Sequence, residues 1–196
     1  MNARSLSRNR AGAAGAEFAL VVPILILMLF GIIDVGRYMW TINKAEKAAQ
    51  MGVRMAVVTD FVSSSIGQDY VGQCATPLTD GDPIPANCFS QITCSKPGGS
   101  ATCTAGTADT AAFNAVAARI RQFMPEIRDS NVEIIYSPSG LGYAGNPNGP
   151  DVAPLVTVRL SGMGFNPIMT LTFATLGLPD ARSSLTFEDG AGAVSN

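Results

Sequence analysis

The sequence contains no histidine, and only 14% of its 196 residues are charged. Histidine is the commonest general acid–base group in enzymes and a frequent zinc ligand, so its absence removes the usual basis of both functions. No glycine-rich stretch stands between a strand and a helix in the manner of a phosphate-binding loop. We therefore expect no enzymatic activity, no cofactor and no metal ion.

Basic charge is scarce beyond the N-terminus. Residues 38–196 carry nine basic and thirteen acidic side chains, which disfavours binding to a phosphate backbone, and we expect no nucleic-acid partner. In contrast, Arg4, Arg8 and Arg10 precede the first acidic residue, Glu17. Positive charge on the short N-terminal side of an apolar helix keeps that side in the cytoplasm, so the remainder of the chain is predicted to be exported.

One long apolar run lies near the N-terminus, from Phe18 to Ile33. The run is shorter than the ~20 residues that cross a bilayer, but apolar neighbours extend a feasible span to residues 18–37. No small-x-small site follows the run, which disfavours a cleavable secretory signal. The stretch from Tyr38 to Asp60 has no proline and places apolar residues at helical spacing. The sequence thus predicts one helix over residues 13–60, lipid-facing in its first half and amphipathic in its second.

Four residues within this helix are unusual for an apolar membrane span. Pro23 and Gly31 are compatible with a helix that bends as the chain leaves the bilayer, and equally with ordinary membrane-helix composition, in which both residue types are frequent. Asp34 and Arg37 lie one turn apart, and we expect them to form an ion pair at the outer membrane interface.

The composition changes after Asp60. Residues 61–108 are rich in Gly, Ser, Thr and Pro and show no sustained periodicity, which predicts a loop region without a core. This region holds all four cysteines of the chain: Cys74, Cys88, Cys94 and Cys103. An even number of cysteines in an exported segment predicts two disulfides. Of the three possible pairings, short loop closure favours Cys74–Cys88 with Cys94–Cys103.

Residues 109–196 show the pattern of a small exported α+β domain. Helical spacing predicts a helix from Asp109 to Met124, and alternation predicts strands around Val132–Tyr136, Val156–Leu160 and Leu185–Phe187. Residues 165–179 (FNPIMTLTFATLGLP) are ambiguous between strand and helix, and we favour a short helix. The expected fold class is α+β: a long N-terminal helix, then a small antiparallel-sheet domain with one or two helices and a disulfide-stapled loop.

The string GAAGAEF, Gly12 to Phe18, resembles the processing site of type IV pilins of the tight-adherence (Tad) branch. The continuation ALVVPILILMLFGIIDVGRYMW is similar to the N-terminal helix of TadE-like pseudopilins, over about residues 8–60, and TadF-like proteins share this N-terminus. The resemblance implies that a prepilin peptidase cuts between Gly12 and Ala13 and removes residues 1–12 as a cytoplasmic leader. It also implies that Glu17, followed by Phe18, pairs with the new amine of Ala13 on a neighbouring subunit. A carboxylate that only caps the helix at the interface is the alternative for Glu17.

The implied function is that of a non-catalytic minor pilin or pseudopilin in assembly of a Tad (Flp) pilus. The implied partners are the membrane, the prepilin peptidase, the major Flp-type pilin, other minor pilins and the inner-membrane pilus platform. The implied location is the bacterial inner membrane, with the N-terminus cytoplasmic and the C-terminal domain periplasmic or extracellular. Incorporation into the fibre stays open. An uncleaved single-pass signal-anchor protein with an exported ligand- or surface-binding domain is the alternative function.

Overall fold

The computed structural model describes residues 10–72, 74, 76–147, 150–168 and 175–187, with side chains from residue 12 onward. The chain divides into two compact units. The first combines residues up to Thr41 with 165–176, and the second combines 42–164 with residues from 177 onward. Among the described residues the elements are α1 (Arg10–Ala56), β1 (Ile92–Ser95), β2 (Thr102–Cys103), α2 (Thr110–Phe123), a 3-10 turn (Asp129–Asn131), β3 (Val132–Ser137), β4 (Leu155–Leu160), β5 (Gly164–Phe165), β6 (Leu176–Gly177) and β7 (Ala181–Thr186). This is the α+β class predicted from the sequence.

Helix α1 is a single 47-residue helix that continues without interruption through Pro23. It begins three residues before the predicted start at residue 13 and ends four residues before residue 60. A basic residue, Arg54, lies in its last turn, where positive charge interacts favourably with the exposed carbonyls of a helix C-terminus.

The second half of α1 is amphipathic, as predicted. Its buried positions recur at intervals of three and four residues and are mostly alanine: Ala45, Ala48, Ala49, Gly52, Val53 and Ala56. The small side chains allow a close approach, most clearly at Gly52. A Cβ atom there would lie 2.6 Å from Cγ1 of Ile120 in α2 and 3.3 Å from Cγ1 of Val158 in β4. Helix α1 is therefore part of the core of the second unit.

The main sheet of the second unit has five antiparallel strands in the order β2-β1-β3-β4-β7. Its centre is the β3–β4 pair, in register from Val132 opposite Leu160 to Ser137 opposite Leu155. Alternate residues of these strands are buried, as the sequence predicted: Val132, Ile134, Tyr136, Val156, Val158 and Leu160. Helix α2 also confirms its prediction, and Asp109 caps it by accepting hydrogen bonds from the Ala111 and Ala112 N–H groups at 2.7 and 3.1 Å.

The prediction that residues 61–108 form a loop region without a core was wrong on two points. The region contributes buried residues to the core, among them Val62, Ile66 and Tyr70, and it contains strands β1 and β2. Ile92 and Cys94 of β1 are buried, and β1 pairs along its whole length with β3. Two alternations are too short a pattern to distinguish a strand from a loop in the sequence. The two predicted disulfides are present, with Cys74 bonded to Cys88 and Cys94 bonded to Cys103. The second joins residues that lie opposite one another in β1 and β2.

The C-terminal strand and the segment before it differ in part from the predictions. Strand β7 begins at Ala181, and Leu185 is exposed, whereas Phe187 is buried and stacks on Phe61 with ring centroids 4.2 Å apart. The helix favoured for residues 165–179 is not found at the described ends of that segment, which form β5 and β6. A 2.9 Å hydrogen bond from the Leu178 N–H to the Met163 carbonyl brings these ends together. Residues 169–174 lie outside the described residues.

Candidate functional site

The first half of α1 exposes an almost continuous apolar surface. The exposed large apolar side chains of this stretch are Phe18, Leu20, Val21, Ile24, Leu25, Ile26, Leu27, Met28, Leu29, Phe30, Ile32, Ile33, Val35, Met39 and Trp40. Within the part of the chain that the structure describes, α1 is the one helix that is both long enough and apolar enough to cross a membrane. An 18-residue window of this helix has a mean hydropathy of 2.8, and only 6% of that window is buried. Exposed apolar patches of this extent mark membrane or protein contacts. The helix is suited to membrane anchoring.

The residues predicted for processing and assembly lie in the first turns of α1. Gly12 and Ala13 are helical, because α1 already begins at Arg10. Glu17 and Phe18 are exposed, and Glu17 has no hydrogen-bond or ion-pair partner within the part of the chain that the structure describes. The first N–H groups of this helix end have no intrahelical acceptor.

The proline and the glycines of the apolar half of α1 lie on its surface rather than in a core. Pro23 is exposed. Within the part of the chain that the structure describes, a Cβ atom added at Gly31 or Gly36 would have no neighbour within 4 Å. Glycines on an apolar helix surface permit close approach of another helix in a membrane. Contacts among the described residues therefore do not account for glycine at either position.

A cluster that we call the helix–loop junction lies at the C-terminal end of the apolar stretch. It consists of Asp34, Arg37 and Tyr38 of α1 with Phe165 and Ile168 of the returning chain, all within the first unit. Asp34 is only 7% exposed. Its Oδ1 atom accepts hydrogen bonds from Nη1 of Arg37 at 3.0 Å and from the Ile168 backbone N–H at 2.8 Å. The predicted pairing of Asp34 with Arg37 is therefore present, and the Ile168 backbone N–H donates to the same carboxylate oxygen.

Aromatic contacts complete the helix–loop junction. The Arg37 guanidinium lies 5.2 Å from the centroid of the Phe165 ring, a cation–π geometry. Tyr38 packs edge-on against the same ring, with centroids 5.5 Å apart. Phe165 and Ile168 were not predicted as part of a site, because they meet α1 only through the tertiary fold.

A second polar arrangement, in the second unit, was also missed. The Asp151 carboxylate accepts hydrogen bonds from the backbone N–H groups of Tyr70 at 2.8 Å, Asn146 at 2.9 Å and Gly145 at 3.1 Å. Burial raises the pKa of the Asp151 carboxyl, but these hydrogen bonds outweigh it and hold the pKa below its usual value. Burial, together with the nearby Asp151 charge, raises the pKa of Tyr70 to about 12. The arrangement fixes two loops to each other, which is a structural role.

Comparison with known families gives one match. Residues 12–54 match the family model described as TadE-like protein. The predicted resemblance is confirmed over this TadE-like segment, which covers less than a quarter of the chain and is consistent with a TadE-like pilin of Tad pilus systems. No curated protein and no solved structure matches the chain.

The TadE-like segment contains the apolar half of α1, Glu17, and the α1 residues of the helix–loop junction, and it ends at Arg54 near the C-terminus of the helix. The match therefore indicates a pilin-like protein associated with a Tad pilus and anchored through its N-terminal helix. The five-stranded sheet of the second unit lies outside the matched residues.

Proposed function

We propose that this chain is a non-catalytic TadE-like subunit, a minor pilin or pseudopilin, that takes part in assembling a Tad (Flp) pilus. The observation that carries the proposal is the exposed carboxylate of Glu17 on the apolar, exposed half of α1, within the TadE-like segment. Helices of this kind are buried either in lipid or against one another, and both environments disfavour an unpaired charge.

The proposed chemistry at Glu17 is pairing with the N-terminal amine of Ala13 on a neighbouring subunit. Cleavage after Gly12 creates that amine and removes Arg4, Arg8 and Arg10 with the leader. A buried ion pair between two subunits then fixes their axial register, in the way that a buried polar residue fixes register in a coiled coil. The partners are accordingly a prepilin peptidase, the major pilin, other minor pilins and the inner-membrane platform.

The proposed topology follows from the charge distribution. The three N-terminal arginines keep the leader in the cytoplasm, α1 crosses the inner membrane at about residues 18–37, and the second unit is exported. The two disulfides, Cys74–Cys88 and Cys94–Cys103, support an exported location, because such bonds persist in oxidising compartments.

Mass spectrometry of the protein extracted from membranes tests the processing step. An N-terminus at Ala13 is expected in cells with an active prepilin peptidase, and an intact leader in cells without it. An intact Met1 in both would overturn the processing step and favour the uncleaved signal-anchor alternative.

The Glu17→Gln variant tests the assembly step. The substitution preserves shape but removes the charge, so we expect processing and folding to continue while pilus formation falls. Glu46→Gln is the matched control, because Glu46 is also exposed on α1 but lies in the second unit. Equal pilus formation by both variants would contradict the proposed pairing. Immunogold labelling of sheared pili then decides between incorporation into the fibre and a role confined to assembly.

A further inference from the structure

The helix–loop junction contributes to more than the packing of one chain. We propose that it holds residues Phe165–Ile168 and Leu176 at the outer surface of the bilayer, where Ile168 and Leu176 insert into the boundary between lipid headgroups and acyl chains. The protein would then contact the membrane twice, through α1 and through this returning segment. The proposal rests on the membrane span of α1 in the proposed function.

The length of the proposed span determines how deep Asp34 lies in the bilayer. A span from Phe18 to Arg37 contains 20 residues, which at 1.5 Å per residue covers about 30 Å, the thickness of the hydrocarbon layer. Asp34 then lies within one turn of the outer boundary. Trp40, the single tryptophan of the chain, is 74% exposed just beyond it. Tryptophan and tyrosine concentrate at this boundary, and Tyr38 and Trp40 supply one of each. Arginine near the end of a membrane helix extends its charge to the interface, as Arg37 could do here.

Asp34 is buried and needs hydrogen-bond donors at this depth. A carboxylate at this depth is costly unless its oxygen atoms have donors, since lipid offers none. The protein supplies the Arg37 guanidinium and the Ile168 backbone N–H. The Ile168 backbone must therefore lie at the same depth as Asp34. The returning segment is positioned at the interface by a hydrogen bond to the membrane helix itself.

The returning segment exposes two large apolar side chains. Ile168 is 52% exposed and Leu176 is 49% exposed. Leu176 belongs to β6, which pairs with β5, the strand that contains Phe165 of the junction. Both side chains belong to the same compact unit as the apolar half of α1. The hydrogen bond of the Ile168 N–H to Asp34 places this segment beside the end of the apolar stretch, and lipid is the occupant that this position favours.

Tryptophan fluorescence in reconstituted vesicles tests the proposal. In the full-length chain, Trp40→Phe removes the native fluorophore, and Ile168→Trp then places a single one on the segment. Vesicles of phosphatidylcholine with bromine on the acyl chains, either near the headgroup or near the chain ends, act as quenchers of known depth. We expect blue-shifted emission that the shallow bromines quench more strongly than the deep ones.

Two control positions separate this proposal from the proposed function. Leu27→Trp, in the middle of the predicted span, should be quenched by the deep bromines. Leu141→Trp, at a 54% exposed site of the second unit, should resist both. An unquenched Leu27→Trp variant would overturn the membrane span and with it the proposed function. Quenching of Leu27→Trp combined with an Ile168→Trp variant as resistant as Leu141→Trp would overturn the present proposal alone.

A further variant tests whether the junction is responsible. Adding Asp34→Ala to the Ile168→Trp chain removes the acceptor of the Ile168 N–H, and we expect the shallow quenching to be lost. The same change in the Leu27→Trp chain should leave the deep quenching intact, which verifies insertion of the variant. Unchanged quenching at Ile168 would show that the junction does not hold the segment. A blue-shifted emission from Ile168→Trp that neither bromine position quenches would show that protein, such as a second copy of the chain, covers this residue, and it would overturn the lipid contact.

Discussion

The Asp34 carboxylate accepts a hydrogen bond of 2.8 Å from the backbone N–H of Ile168, 134 residues further along the chain. This contact connects the apolar helix to a segment that returns from the folded sheet. It also explains how an acidic residue is tolerated in the most apolar part of the molecule, since Arg37 and Ile168 both donate to the same oxygen atom.

Asp34→Ala should loosen the returning segment. The substitution leaves the Ile168 N–H without its acceptor, and the loss of one intramolecular hydrogen bond costs about 0.5–1.5 kcal/mol. Hydrogen-exchange mass spectrometry of the detergent-solubilised protein should show faster exchange in peptides that contain Ile168. Glu46→Ala, an exposed change on the same helix, is the control and should leave this exchange unchanged. Equal exchange in both variants would contradict the role assigned to Asp34.

Gly52→Ala should destabilise the second unit. The added methyl group would meet Cγ1 of Ile120 at 2.6 Å, and Ile120 is fully buried, so it has no space into which to move. Overpacking of this kind costs about 1–3 kcal/mol. Gly36→Ala provides the comparison, because no atom of the described residues lies within 4 Å of the new methyl group there. The free energy of unfolding, measured in denaturant with a fixed detergent, should fall for the first variant only.

Gly31→Ala should leave the single chain unharmed but weaken assembly. Nothing in the described residues lies within 4 Å of the added Cβ, and alanine is a better helix former than glycine by about 1 kcal/mol. Any loss of pili therefore reports contact with a neighbouring helix. Unaltered expression and secondary structure, measured by circular dichroism, establish that the chain is intact. Normal pilus numbers would show that no neighbour packs closely at this position.

Removal of the two disulfides should have unequal effects. Loop closure alone predicts a similar loss of about 2–4 kcal/mol for each bond, slightly more for Cys74–Cys88, whose sequence separation is 14 against 9. Cys94, however, is fully buried within β1, so the double variant Cys94→Ala, Cys103→Ala also loses core packing. We expect it to be the less stable of the two double alanine variants in thermal unfolding. The reverse order would indicate that loop closure dominates.

Asp151 should make the second unit sensitive to acid. The pKa of the Asp151 carboxyl is lower in the folded chain than in the unfolded one, so its hydrogen bonds contribute stability above the unfolded pKa of about 3.9. That contribution is lost as the pH falls through the folded pKa. Asp151→Asn should therefore be less stable than the wild type at neutral pH and should lose less stability on acidification. Parallel profiles of melting temperature against pH would contradict this assignment.

The elements predicted correctly are those with long or strict periodicity. Helix α1 was predictable because its apolar run and the alanine stripe from Ala45 to Ala56 extend over many turns. Strands β3 and β4 were predictable because their buried residues alternate over six positions each. The cysteine pairing was predictable because joining each cysteine to the next one along the chain, Cys74 to Cys88 and Cys94 to Cys103, closes the shortest loops.

The features that were missed depend on contacts between distant residues. Strand β1 has only four residues, and its identity comes from pairing with β3. The junction of Asp34 with Ile168 leaves no local signal, because a backbone N–H donates in the same way whatever its side chain. Asp151 was missed for the same reason, since all three of its N–H donors belong to the backbone.

The close approach at Gly52 has a practical consequence for producing the exported portion in soluble form. A fragment that starts at the composition change after Asp60 would lack the part of α1 in which Gly52 packs against Ile120 and Val158, so both side chains would be uncovered and we expect poor solubility. A fragment that starts at Ile42, where the second unit begins, keeps this contact and omits the exposed apolar side chains of residues 18–40. The better boundary for such a fragment therefore falls in the middle of a helix rather than at its end.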